Sequence, residues 1–160
     1  MLAVRCGSEM TQTGDESHRI SAALDSFHVA AARADYDAYF QCFAEDAVFI
    51  GTDATERWDK QSFMVWAKPY FDRGRAWSFT AIERHVMIDE RGGLAWFDEL
   101  LDTQMKLCRG SGVLIQRNGE WKIRHYVLSM TVPNELADSV VTIKSVIEDG
   151  LIQKHANNRE

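Results

Sequence analysis

The chain has no long apolar run. None of its 160 residues belongs to a stretch approaching the ~20 apolar residues needed to cross a bilayer. It has no basic block either. The 24 Asp and Glu outnumber 18 Lys and Arg, for a formal charge of −6. That balance is wrong for a partner held by phosphate neutralisation. Neither a membrane nor nucleic acid is therefore expected as a partner. Cysteine is scarce: Cys6, Cys42 and Cys108 are odd in number, widely spaced and without a CxxC. This excludes a disulfide framework and reads as reduced thiols in a cytoplasmic protein. Cys42 and Cys108 suit small core positions. The opening Met-Leu-Ala-Val lacks the length and the cationic start of a signal peptide. HExxH, a P-loop, GxSxG and a strand-borne GxGxxG are all missing. His18, His28, His85, His125 and His155 show no metal-ligand spacing. No metal and no cofactor is expected.

What is present points to one globular domain. A hydrophobic fraction of 46%, with five Trp, is too high for a disordered chain. Residues 1–13 show no hydrophobic period and read as a loose arm. Thr13 to Glu16 has the form of a capping box, and Ile20, Leu24, Phe27, Ala30 and Ala31 then recur at helical spacing. Asp35 can cap a second short helix bearing Tyr36, Tyr39, Phe40 and Phe43. A short β-prone run, Ala47 to Ile50, ends at Gly51-Thr52-Asp53. Asp59 opens a third helix whose stripe is Phe63, Trp66, Ala67, Tyr70 and Phe71, with Pro69 inside it and Gly74 as its stop. Trp66, on that stripe, reads as core.

From Ala76 the period changes. Four long β-prone segments follow, near 76–89, 94–105, 107–117 and 120–131, and Asn118-Gly119 between the last two is the strongest hairpin signal in the chain. A two-residue turn there would place Leu114 opposite Ile123, Gly112 opposite His125 and Gly110 opposite Val127. Trp121, Ile123 and His125 would then share the helix-facing side with Gly112, whose missing side chain leaves either a void beside His125 or relief for a bend. The other side would carry Val113, Ile115, Arg124, Tyr126 and Leu128. It reads as a homodimer face or as the bed of a C-terminal helix. Closure of the earlier pair near Gly92-Gly93 sets Arg84 opposite Glu99 and Val86 opposite Phe97, facing inward, with Trp96 and Asp98 outward; an odd-length loop would bring Asp98 in instead. Pro133-Asn134-Glu135 starts the C-terminal helix, residues 134–152, and a polar tail occupies 153–160.

Segregation of helices and strands makes the chain α+β. The run Ala34-Asp35-Tyr36-Asp37, then Phe43-Ala44-Glu45-Asp46-Ala47, then Asn118-Gly119-Glu120-Trp121-Lys122-Ile123 with His125 and Ser129, resembles the nuclear transport factor 2-like superfamily, in its SnoaL-like branch. The resemblance spans residues 17–133. It implies a curved, mostly antiparallel sheet wrapped cone-like around three N-terminal helices, a pocket at the open end, and usually a dimer. Measured from Asp35 and Asp46, the functional groups of the superfamily's steroid isomerases would fall at Phe27, near Gly51 and within 109–117, where this chain has none of them.

Three functions follow. One is a binding domain for a small apolar or aromatic molecule, with Arg84, Asp98, Gly112, Trp58 and Trp121 as binding candidates. Another is an acid–base enzyme of the isomerase, cyclase or dehydratase kind, using Glu99 and His125. The last is a ligand-free dimerisation domain, which predicts a core plugged by side chains.

Overall fold

The computed structural model describes residues 6–157, with side chains from residue 14 onward. It divides into two compact units at Met130/Thr131. The first holds helices α1 (Cys6–Ala32), α2 (Tyr36–Gln41) and α3 (Lys60–Asp72), and strands β1 (Phe43–Ile50), β2 (Arg57–Asp59), β3 (Phe79–Ile88), β4 (Leu94–Thr103), β5 (Lys106–Arg117) and β6 (Glu120–Met130). The second holds a short 3₁₀ turn at Asn134–Leu136 and helix α4 (Ala137–Asn157). Helix α4 runs past the expected end at residue 152, and none of its residues is buried.

Helix α1 begins at Cys6, so residues 6–13 are helical rather than part of a loose arm; residues 1–5 lie outside the described residues. Thr13 is inside the helix, not at its cap. The expected stripe is the buried one: Ile20, Leu24, Phe27, Ala30 and Ala31. The chain then turns sharply. Ala34 takes a left-handed conformation, φ 53°, and Asp35 N–H donates to Ala30 O at 2.9 Å, closing the end of the helix as glycine usually does. Asp35 next caps α2, its carboxylate accepting from Ala38 N at 3.1 Å. Asp59 caps α3 in the same way, accepting from Ser62 N at 2.8 Å.

One six-stranded sheet runs in the order β2-β1-β6-β5-β4-β3. The β1–β6 pairing is parallel and the others are antiparallel. Asn118 and Gly119 both have positive φ, 52° and 82°, the geometry a tight two-residue hairpin turn demands. Next to that turn the expected register holds, with Gln116 opposite Trp121 and Leu114 opposite Ile123. It then shifts: Val113 faces His125 and Gly112 faces Tyr126. Arg124 is the extra residue of a β-bulge, and a bulge reverses the faces of everything beyond it.

The consequences correct several expectations. Tyr126 and Leu128, assigned to an outer dimer face, are buried, as is Ile115. His125 lies on the outer side. Gly112 leaves no void beside it, because a Cβ there would overlap the backbone carbonyl of His125. The glycine serves a close backbone approach at the bulge. A second shift lies between Ala81 and Glu83, so Arg84 still faces Glu99 and Val86 faces Phe97, but Ala81 rather than Ile82 faces Leu101. Ile82 is exposed.

Among the described residues, no helix is long and apolar enough to cross a membrane, and no cluster of side chains is arranged to hold a metal ion.

Candidate functional site

Glu99 lies on the sheet's inner face, midway along β4, and is fully buried. Its Oε1 sits 2.7 Å from His28 Nε2 and accepts from the Tyr126 hydroxyl at 3.2 Å. Its Oε2 accepts from Arg84 Nε at 2.9 Å. Arg84 also donates to Ser21 O at 3.0 Å and to Asp25 Oδ1 at 2.8 Å, tying β3 to α1. Burial alone would raise the Glu99 carboxyl. The hydrogen bond and charge of His28, followed by those of Arg84, outweigh it and hold the group below the ordinary carboxylate range. Against that carboxylate, His28 Nε2 is the protonated nitrogen. Tyr126 is pushed well above its ordinary value, first by burial and then by the Glu99 charge. Gly110 makes this packing possible, since a Cβ there would overlap the Tyr126 hydroxyl and crowd Glu99.

The Arg84–Glu99 meeting follows the sequence expectation, but the pair is closed. Neither residue lines any of the three cavities described below. Glu99 and His125 do not share a concavity, because the bulge turns His125 outward. Asp98 also faces outward, 3.3 Å from His85 Nδ1 and 3.5 Å from Arg109. Trp121 is buried, its indole N–H donating to Glu16 Oε2 at 2.7 Å. His28 was legible in principle, since it falls four residues after Leu24 and eight after Ile20, on the buried stripe of α1.

A cavity of about 250 Å³ opens elsewhere in the same unit. The end of β1, the turn into β2, α3 and the β4–β5 turn surround it. Seven of the fourteen residues that line it are aromatic. Helical spacing delivers Phe63, Trp66 and Tyr70 from α3 to one wall. Strand pairing delivers Trp58, opposite Phe49 in the β1–β2 ladder. Phe49 stacks on Phe63 with centroids 4.1 Å apart, and Trp58 lies 4.7 Å from Trp66. Trp77 completes the wall, 6.3 Å from Trp66. Trp58 lines the cavity and also packs against the core. Trp66, expected in the core, is 37% exposed and lines the cavity instead.

One carboxylate reaches this cavity. Glu56 closes the turn between β1 and β2, where Gly51 N–H donates to Glu56 O at 2.9 Å and Glu56 Oε2 accepts from Asp53 N at 3.2 Å. A Cβ on Gly51 would overlap that same oxygen. Among the described residues, no Lys, Arg or His pairs with Glu56. Its role depends on how the turn closes, and nothing in the local sequence signals it.

Two wider clefts, of about 480 and 470 Å³, are shallower. Most of their charged groups are already engaged. In the first, Arg19 donates to Gly119 O at 2.5 Å, and Lys122 to Gln41 O at 2.9 Å. In the second, Lys60 donates to Glu45 at 2.7 Å. The aromatic cavity is the candidate site.

Solved structures place this fold among known ones. A nuclear transport factor 2-like protein of unknown function from Pseudomonas putida KT2440 is 17% identical with a TM-score of 0.62, covering 77% of this chain and 91% of that one. A proposed dehydratase of the same family from Streptomyces avermitilis is 12% identical with a TM-score of 0.66, covering 76% and 99%. A proposed scytalone dehydratase from Novosphingobium aromaticivorans is 10% identical with a TM-score of 0.66, covering 77% and 89%. At such identities the likeness is one of fold. No curated protein matches the chain. The family model of the SnoaL-like domain matches residues 20–133, and the chain belongs to that family, within the nuclear transport factor 2-like superfamily.

Proposed function

We propose that this chain binds a small apolar or aromatic molecule in the cavity walled by Trp58, Trp66 and Trp77. The observation that carries the reading is an open volume of about 250 Å³ with aromatic walls, in a unit whose interior is otherwise closely packed. A ligand-free domain predicts a plugged core. The free thiols of Cys42 and Cys108 fit the cytoplasmic location proposed with this reading.

The test is a titration followed by tryptophan fluorescence, using small aromatic and branched aliphatic probes that include tert-butylbenzene. Saturable quenching is expected from the native chain and a loss of affinity of about tenfold or more from Trp66→Ala, consistent with removal of a buried aromatic contact. No saturable response from any probe removes the reading.

A second reading, acid–base catalysis on the bound molecule, has one observation in its favour. It does not use Glu99 and His125, which the fold separates. It uses Glu56, the one carboxylate that lines the cavity, held beside Gly51 by the turn between β1 and β2. Self-association belongs to the same proposal, through outer-face residues still exposed, such as Leu94 and Trp96. Sedimentation at micromolar concentration is expected to show a dimer weakened by Trp96→Glu; a single 18.2 kDa species would remove it.

A further inference from the structure

The charge pattern of the aromatic cavity narrows its ligand class. Of the fourteen residues lining it, Glu56 is the only one charged at neutral pH, and none is Lys, Arg or His. The polar remainder, Thr52, Tyr70 and Gln104, carries no charge. Strand alternation turns Arg57 and Asp59 away from the side that Trp58 occupies. Arg73 reaches the wall residue Tyr70: it donates from Nε to Pro69 O at 3.0 Å, with its guanidinium 5.0 Å from the centroid of Tyr70. That leaves the indoles of Trp58, Trp66 and Trp77 unoccupied by any protein cation among the described residues.

Aromatic rings with a negative π-face, above all tryptophan, attract an organic cation whose own hydration is weak. A carboxylate half-exposed at the same cavity adds a counter-charge. Its only hydrogen-bond donor among the described residues is the Asp53 N–H, so it retains acceptor capacity. An anionic ligand would meet Glu56 unscreened, and a neutral hydrocarbon, with no O–H or N–H to donate, would gain nothing from it. We infer that the cavity selects an organic cation, of the quaternary or N-alkylated ammonium class, held by the Trp58–Trp66–Trp77 wall with Glu56 as counter-charge. This rests on the pocket reading above and specifies its ligand.

The test compares phenyltrimethylammonium with tert-butylbenzene, which has the same shape without the charge, by tryptophan fluorescence. The native chain should bind the cation about tenfold more tightly than the neutral probe. Glu56→Gln should weaken phenyltrimethylammonium binding far more than tert-butylbenzene binding, removing most of that preference. Raising the salt concentration should weaken only the cation, a measurement on the native chain that stands even if the variant folds poorly. Equal affinities, or preference for the neutral probe, overturn the cation inference and leave the pocket reading standing. A cation preference insensitive to both Glu56→Gln and salt overturns the role of Glu56. Binding of neither probe overturns inference and pocket reading together.

Discussion

Gly110 and Gly51 each make room for a glutamate carboxylate, and the two carboxylates have opposite fates. Beside Gly110, Glu99 is fully buried and accepts from His28, Arg84 and Tyr126. Its lone pairs are taken from several directions, and the partners come from α1, β3 and β6. Beside Gly51, Glu56 accepts one backbone N–H and faces a cavity. The first arrangement fastens the helix to the sheet and has little capacity left for a ligand. The second costs the fold little and leaves a charge available. A buried carboxylate with a depressed pKa draws attention as a catalytic candidate, yet here the carboxylate that faces open space holds the better site.

The largest effect that should separate the two is Glu99→Gln. Removing one partner of a buried ion pair while keeping its shape costs about 3–5 kcal/mol, read by chemical denaturation. Binding of the pocket probes should survive in the folded fraction. Stability unchanged to within about 1 kcal/mol, with binding lost, would reverse the assignment of the two regions. The variant should also alter the acid limb. Glu99 is held below its ordinary value when folded, so the unfolded chain binds that proton more readily. The stability it supplies is therefore complete above the unfolded value of about 4.3. It drains away as pH falls through that value toward the lower folded one. Melting of the native chain should show this loss, and Glu99→Gln should lack its share of it.

The matched glycine substitutions sharpen the comparison at smaller scale. Gly110→Ala pushes on the Tyr126 hydroxyl and Glu99 inside a packed core and should cost about 1–3 kcal/mol. Gly51→Ala overlaps the Glu56 carboxylate oxygen and crowds its Cβ and Cδ, but at a half-exposed turn, and should cost less, about 0.5–1 kcal/mol. It should nevertheless change the cation preference of the cavity. Equal destabilisation by the two would mean that Glu56 is as deeply embedded in the fold as Glu99.

Much of this arrangement is legible in the sequence, and the failures have a common cause. The stripe of α1, the Asp35 and Asp59 caps, the Asn118-Gly119 turn and the Arg84–Glu99 pairing all follow from local chemistry and strand alternation. Alternation counts residues, and it fails where the ladder skips one. Ile82 and Arg124 look like ordinary strand residues, yet the register shifts at each. The skip at Arg124 accounts for the misplacement of His125, Tyr126 and Leu128, and for the void expected at Gly112; the skip at Ile82 puts Ala81 in its place opposite Leu101. Glu56 was hidden for a different reason. It reaches the cavity only because a turn folds β2 back onto β1, and the three residues of β2 give too short a pattern to read.

The bulge in β6 has a consequence for how such a chain can change. The strand carries two reading frames joined at Arg124: Trp121 and Ile123 point inward in one, Tyr126 and Leu128 in the other. Losing Arg124 would merge them into one unbroken alternation that keeps all four inward, whereas losing Lys122 would throw Trp121 out of phase with the rest. The same loss in the Glu90–Gly93 loop would only shorten a connection. At β6, length is constrained at every regular position, and least at the bulge, where the Arg124 side chain reaches Asp46 on the outside of the sheet.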